Sequence, residues 1–141
     1  QLRANLGLGV ILQPSPFAEL LKKEAEPKAS GLFRAAWTAD YPSAENFLFP
    51  LLSRASLPPG DNRGRYNNQA FEDSLTAARK ATDEATRVTN IKAAEKQAIG
   101  VDLALIPLWY RSQYRVFDSA KWNGVELDFF ENPTVATISL K

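Results

Sequence analysis

Apolar positions along the chain fall into short continuous runs, one long helical stripe and a short terminal alternation. Leu6 to Leu12 is a compact apolar run that predicts a buried strand. Pro14 and Pro16 break it. Phe17 to Glu26 follows, with Phe17, Leu20, Leu21 and Ala25 on one face of a predicted helix, and Pro27 and Gly31 mark its end. Leu32 to Trp37 fits a second strand. Strand, helix and strand within about thirty residues suggest a βαβ unit with a parallel pair. A ligand site in such a sheet tends to lie past the carboxyl ends of its strands. Here that place holds Thr38, Ala39, Asp40, Tyr41 and Pro42.

From Pro42 to Arg65 the pattern is irregular or only briefly helical, with the apolar stretch Asn46 to Leu52 interrupted by Pro50. Tyr66, Asn67 and Asn68 then lead into a stripe at spacings of three and four: Phe71, Leu75, Ala78, Ala81, Ala85, Val88, Ile91, Ala94, Ala98 and Val101. Thr82-Asp83-Glu84 divides it into two helices, with Thr82 or Asp83 capping the second. Leu103 to Trp109 reads as a buried extended run, because Pro107 opposes regular helix, and Tyr110 to Phe117 continues it. Trp122 to Val125 carries a turn signal, and Thr134 to Leu140 alternates as a final strand.

Composition narrows the chemistry more than the fold. Forty-five percent of the 141 residues are apolar and 23% charged, an ordinary globular balance. The net charge of +1, with basic residues scattered among acids, gives no footprint for nucleic acid. The chain has no cysteine and no histidine. Disulfides, thiol nucleophiles, Ser-His-Asp catalysis and imidazole-bound zinc are therefore excluded within it. Asp40, Glu45, Asp61, Glu72 and Asp73 could supply acid–base pairs, but no spacing singles out a pair, so no catalytic residue, metal ligand or cofactor is assigned. Gln1 to Asn5 reads like the last turns of a helix, without an initiator Met, and the expectation is a piece of a longer polypeptide.

One string carries a family signal. Gly31 to Pro42, ending in Trp37-Thr38-Ala39-Asp40-Tyr41-Pro42, resembles the W-x-A-D-Y-P segment of the peptide- and nickel-binding family of ABC-importer solute-binding proteins, the family 5 extracellular binding proteins. Three more features follow in the order that family uses: Tyr66-Asn67-Asn68 before a helix at Phe71, Asp83-x-x-x-Arg87 opening the next helix with Ala94-Glu95 inside it, and Ile106-Pro107-Leu108-Trp109-Tyr110 after Gly100-Val101. The resemblance implies an α/β fold, the C-terminal lobe of a two-lobed periplasmic-binding-protein-like architecture of type II, cluster C-like, with a mixed sheet flanked by helices. Residues 1–103 would form part of the second lobe, and residues 104–141 would cross back to the first lobe and end as a strand.

The same resemblance implies a non-enzymatic role: capture of peptides for an ABC importer outside the cytoplasmic membrane, in the periplasm or on a lipid anchor. The partners would be the ligand, the membrane permease and a missing N-terminal lobe. In peptide-binding relatives the Asp of this motif receives the ligand's α-amino group, which carries over to Asp40. A charge-assisted contact of that kind contributes about 1.5–3 kcal/mol, part of it offset by desolvation. Turn capping by Asp40 is the competing reading from the residues alone. Trp37 is either a platform under the ligand or core packing. Arg34, three residues earlier, faces the other way in a strand; it either meets a ligand carboxylate, as in some relatives, or is a surface or interlobe charge. Thr38, Trp109, Tyr110 and Arg111 complete the candidate set. Relatives often carry an aromatic residue where this chain has Arg111, which points to an acidic partner or to a salt bridge. Two alternatives remain: a sibling ligand such as an oligosaccharide, opine or metal chelate, or a helical interaction module using the apolar stripe as its partner face.

Overall fold

The computed structural model describes residues 2–28, 31–110, 112 and 114–141. The chain divides into two compact units, residues 1–33 and 34–141.

The first unit holds two helices, α1 (Leu2–Leu6) and α2 (Phe17–Ala25). The second matches the sequence pattern almost to the residue. Pro16 precedes it with φ −54°, the angle its ring imposes and one suited to entering a helix. Leu6 to Leu12 is not a strand. α1 takes Leu6, and the run beyond it is non-regular and exposed, Ile11 and Leu12 at 84% and 86%. Leu32 to Trp37 also forms no regular element. The expected βαβ unit is therefore absent among the described residues. A strand exists only when a neighbour accepts and donates its backbone hydrogen bonds, and neither segment has one.

The second unit is built on three helices. α3 (Glu45–Leu52) runs through Pro50, where the sequence predicted an interruption. The ring removes one helical hydrogen bond and costs about 3 kcal/mol. Leu48 and Leu52, at 6% and 2% exposure, each return about 1.5–3 kcal/mol on burial, enough to offset it. α4 (Gln69–Lys80) and α5 (Glu84–Glu95) pack against each other and against α3, and α5 passes into a π-helical turn at Lys96–Val101. Phe71, Leu75, Ala78, Ile91, Ala94 and Ala98 from the predicted stripe meet Leu48 and Leu52 in one core. Ala85 and Val101 are exposed, so the stripe leaves the core at the α4–α5 link and at its far end. Both caps are side-chain caps: Asn68 Oδ1 accepts from Phe71 N (3.2 Å) and Asp83 Oδ1 from Thr86 N (2.8 Å).

After the π turn the described residues through Phe117 form no regular element and are mostly exposed. Ile106, Leu108 and Trp109 are 65–70% exposed, which corrects the expectation of a buried run. The end of the chain is a small hairpin rather than one long strand: β1 (Trp122–Asn123) pairs antiparallel with β2 (Ser139–Leu140), and Val135–Thr137 is a 3-10 turn. Among the described residues this pair is the only sheet, so helices stand with a two-stranded β element there, and the larger mixed sheet expected between helices is not formed.

Candidate functional site

The segment from Arg34 to Tyr41 lies on the helical unit, and one buried side chain organises its end. Asn46, in the first turn of α3, is 3% exposed. Its Oδ1 accepts from the indole Nε1 of Trp37 (3.2 Å) and from the backbone N of Asp40 (2.8 Å), while its Nδ2 donates to Asp40 Oδ2 (3.3 Å). Trp37 and Asp40 are thereby tied to one amide. Trp37 is half-buried, Ala39 between them is buried, and Asp40 is exposed. Both readings of Trp37 have a physical counterpart here, since one part of the indole packs and the rest is accessible. Asp40 does not cap the turn that follows. The Ser43 hydroxyl takes that role, accepting from Glu45 N (3.3 Å).

Charge around this segment is arranged unevenly. Arg87 of α5 reaches Ser43 Oγ (3.4 Å), but its guanidinium is paired twice with Glu84 (2.7 and 2.8 Å). Arg79 pairs with Glu45 (3.0 Å) and lies 4.6 Å from the centre of the Phe49 ring. Among the described residues no Lys or Arg sits within ion-pair distance of Asp40.

The remaining candidates form a second small group. The Arg34 guanidinium lies over the Trp109 ring, 5.9 Å from its centre, a cation–π contact that joins the segment before Trp37 to the one after the π turn. Thr38 is exposed, and Tyr110 is 97% exposed. Arg111 lies outside the described residues. The structure therefore brings Trp37 together with Asp40, and Arg34 with Trp109, while Thr38 and Tyr110 are held by neither group. Sequence reasoning missed Asn46. It stood in an apolar stretch, and only its burial beside the motif marks it.

A third polar cluster stands where α4 begins. Asp102 accepts from Tyr66 Oη (2.6 Å), Asn68 Nδ2 (2.7 Å) and Gln97 Nε2 (3.1 Å). These bonds, Tyr66 first, hold the Asp102 carboxyl below the usual aspartate range. Partial burial, and then the Asp102 carboxylate, push the Tyr66 phenol well above its ordinary value. The cluster joins the end of the π turn to the start of α4 and is structural.

An open apolar depression of about 320 Å³ is lined by Phe117, Trp122, Val125, Pro133 and Ile138, and includes none of the candidate residues. No group of acidic side chains among the described residues could hold a metal ion. No helix there is long and apolar enough to cross a membrane.

No family model matches the chain, and no solved structure matches it. Curated relatives do. The chain is 32% identical over 111 residues to the periplasmic oligopeptide-binding protein OppA of Escherichia coli, a match covering 77% of this chain and 19% of that protein. It is 28% identical to di/tripeptide-binding protein 2 of Pseudomonas aeruginosa (66% of this chain, 17% of that protein). It is also 28% identical to di/tripeptide-binding protein 4 of the same organism, where the match takes 98% of this chain and 25% of the relative. All three are named as binding proteins and none as an enzyme. Over most of its own length, and over about a sixth to a quarter of theirs, this chain is similar to peptide-binding proteins.

Proposed function

We propose that residues 1–141 are the C-terminal part of a two-lobed solute-binding protein of an ABC importer, and that the protein captures peptides outside the cytoplasmic membrane with Asp40 receiving the ligand's amino group. The observation that carries this reading is the state of Asp40. It is an exposed carboxylate with no cation beside it among the described residues, held by a buried amide next to an accessible indole. Such a group suits an ammonium ligand once a second wall removes water, because pairing strengthens as the surrounding dielectric falls. The similarity to proteins named for binding oligopeptides and di- or tripeptides supports the same ligand class.

On this reading Arg34 and Trp109 form a second contact region, and Thr38, Tyr110 and Arg111 border the cleft. The N-terminal lobe supplies the opposite wall, and the membrane permease is the downstream partner. The apolar residues exposed from Leu103 to Phe117 agree with a segment made to run against another part of a longer protein. A helical interaction module is disfavoured, because Leu75 and Ile91 of the stripe are 2% and 7% exposed and face their own core.

Calorimetry of the full-length protein with short peptides and with oligosaccharides tests the reading. Peptides should bind and oligosaccharides should not, and Asp40→Ala should weaken peptide binding about tenfold or more, the loss of one charge-assisted contact. Oligosaccharide binding would move the assignment to a sibling ligand. Full peptide affinity in Asp40→Ala would remove the amine-receptor role.

A further inference from the structure

We propose that Asn46 is the positioning residue that makes this site selective for a free ammonium, because it fixes the Asp40 carboxylate without neutralising it. The inference rests on the reading of Asp40 as the ammonium receptor and adds what sets its selectivity.

Three observations carry it. First, Asn46 uses both faces of its amide on this one segment: Oδ1 accepts from Trp37 Nε1 and Asp40 N, and Nδ2 donates to Asp40 Oδ2. Its 3% exposure and its place in the helix that carries the buried Leu48 and Leu52 leave that amide little freedom. Second, the partner is neutral. Glu45, Glu84 and Asp61 in the same unit are each paired with an arginine, at 3.0, 2.6 and 2.9 Å. Asp40 alone among these four meets an amide dipole, so its full negative charge remains for a ligand. Third, among the described residues Asp40 Oδ1 carries no hydrogen bond, while Oδ2 is held. One oxygen is fixed and the other is presented.

An ammonium gains an ion pair from such a fixed, charged acceptor; an acetylated amine carries no charge and gains only a hydrogen bond to the carboxylate. Loss of Asn46 leaves the carboxylate able to rotate and the Trp37 N–H without its acceptor, so discrimination should fall even where the pocket survives. The readout is therefore the ratio of affinities for trialanine and N-acetyl-trialanine, measured by calorimetry on the full-length protein. A general loss of structure lowers both affinities together and leaves the ratio unmoved.

Asn46→Leu should lower that ratio about tenfold. Asn46→Ser keeps a small polar group in the space and should lower it in the same direction by less; it decides the matter if the leucine variant does not fold. In an Asp40→Asn background neither change should alter the ratio further, since the charge being positioned is gone. An unchanged ratio in both Asn46 variants, with Asp40→Asn strongly reduced, would overturn the positioning role and leave the ammonium receptor standing. A wild-type ratio in Asp40→Asn would overturn the receptor itself, and this inference with it.

Discussion

Asn62 has no solvent exposure, yet its carboxamide is fully used. Nδ2 donates to the carbonyls of Leu52 (3.1 Å), Ser53 (3.0 Å) and Tyr66 (2.8 Å), and Oδ1 accepts from Tyr66 N (3.0 Å). It closes the loop between α3 and α4 by satisfying backbone groups that helix ends leave open. Asn62→Leu should therefore cost about 3 kcal/mol or more, since several buried groups lose their partner at once; urea unfolding would measure it. The Asp102–Tyr66 pair makes a pH prediction. Asp102 is held below its ordinary 3.8, so its contribution to stability is present above that value and is lost as pH falls through it toward the folded one. Tyr66 is shifted the other way: its contribution is complete below the ordinary phenol value of 10.0 and fades as pH rises beyond it. Denaturation midpoints across pH should show both limbs. Asp102→Asn should flatten the acid limb and only reduce the alkaline one, because burial is the larger cause of the Tyr66 shift.

Helix ends and one turn govern behaviour at the level of elements. Asn68 and Asp83 each accept from a backbone N–H three residues ahead, and both sit in extended conformation before the first helical turn. Alanine at either should destabilise the helical unit by about 1 kcal/mol, readable in chemical denaturation. The terminal hairpin depends on Gly124. Its φ is +64°, and a Cβ there would lie 1.9 Å from the Thr137 carbonyl oxygen. Gly124→Ala should open the β1–β2 pair, seen as faster exchange of the Lys141 amide, which donates to the Lys121 carbonyl across the pair, while the α3–α5 core keeps its protection.

At the scale of the whole molecule, most of the candidate residues of the second unit are exposed. Asp40 stands open to solvent, and much of the apolar surface between Leu103 and Phe117 is uncovered. Affinity for a small ligand depends on how much of it is surrounded. On the proposed reading, residues 1–141 alone should bind trialanine more weakly than the full-length protein by on the order of a hundredfold or more. Comparable binding by the two would contradict a cleft shared with another lobe.

The sequence by itself determined what local chemistry controls. The stripe from Phe71 to Ala98, its break before Glu84, a cap at Thr82 or Asp83 and the helix from Phe17 were legible because spacing and capping act within a few residues; the structure chose Asp83. The juxtaposition of Trp37 and Asp40 was legible too, from the motif they share. The tertiary structure decided the rest. Pro50 stays inside α3 because Leu48 and Leu52 are buried by other helices. Leu6 to Leu12 and Leu32 to Trp37 read as strands but form none, because a strand is a relation between two segments and an apolar run specifies only one of them. Asn46 became a candidate only when folding buried its amide against the backbone of Asp40, a contact that no pattern of residue types along the chain encodes.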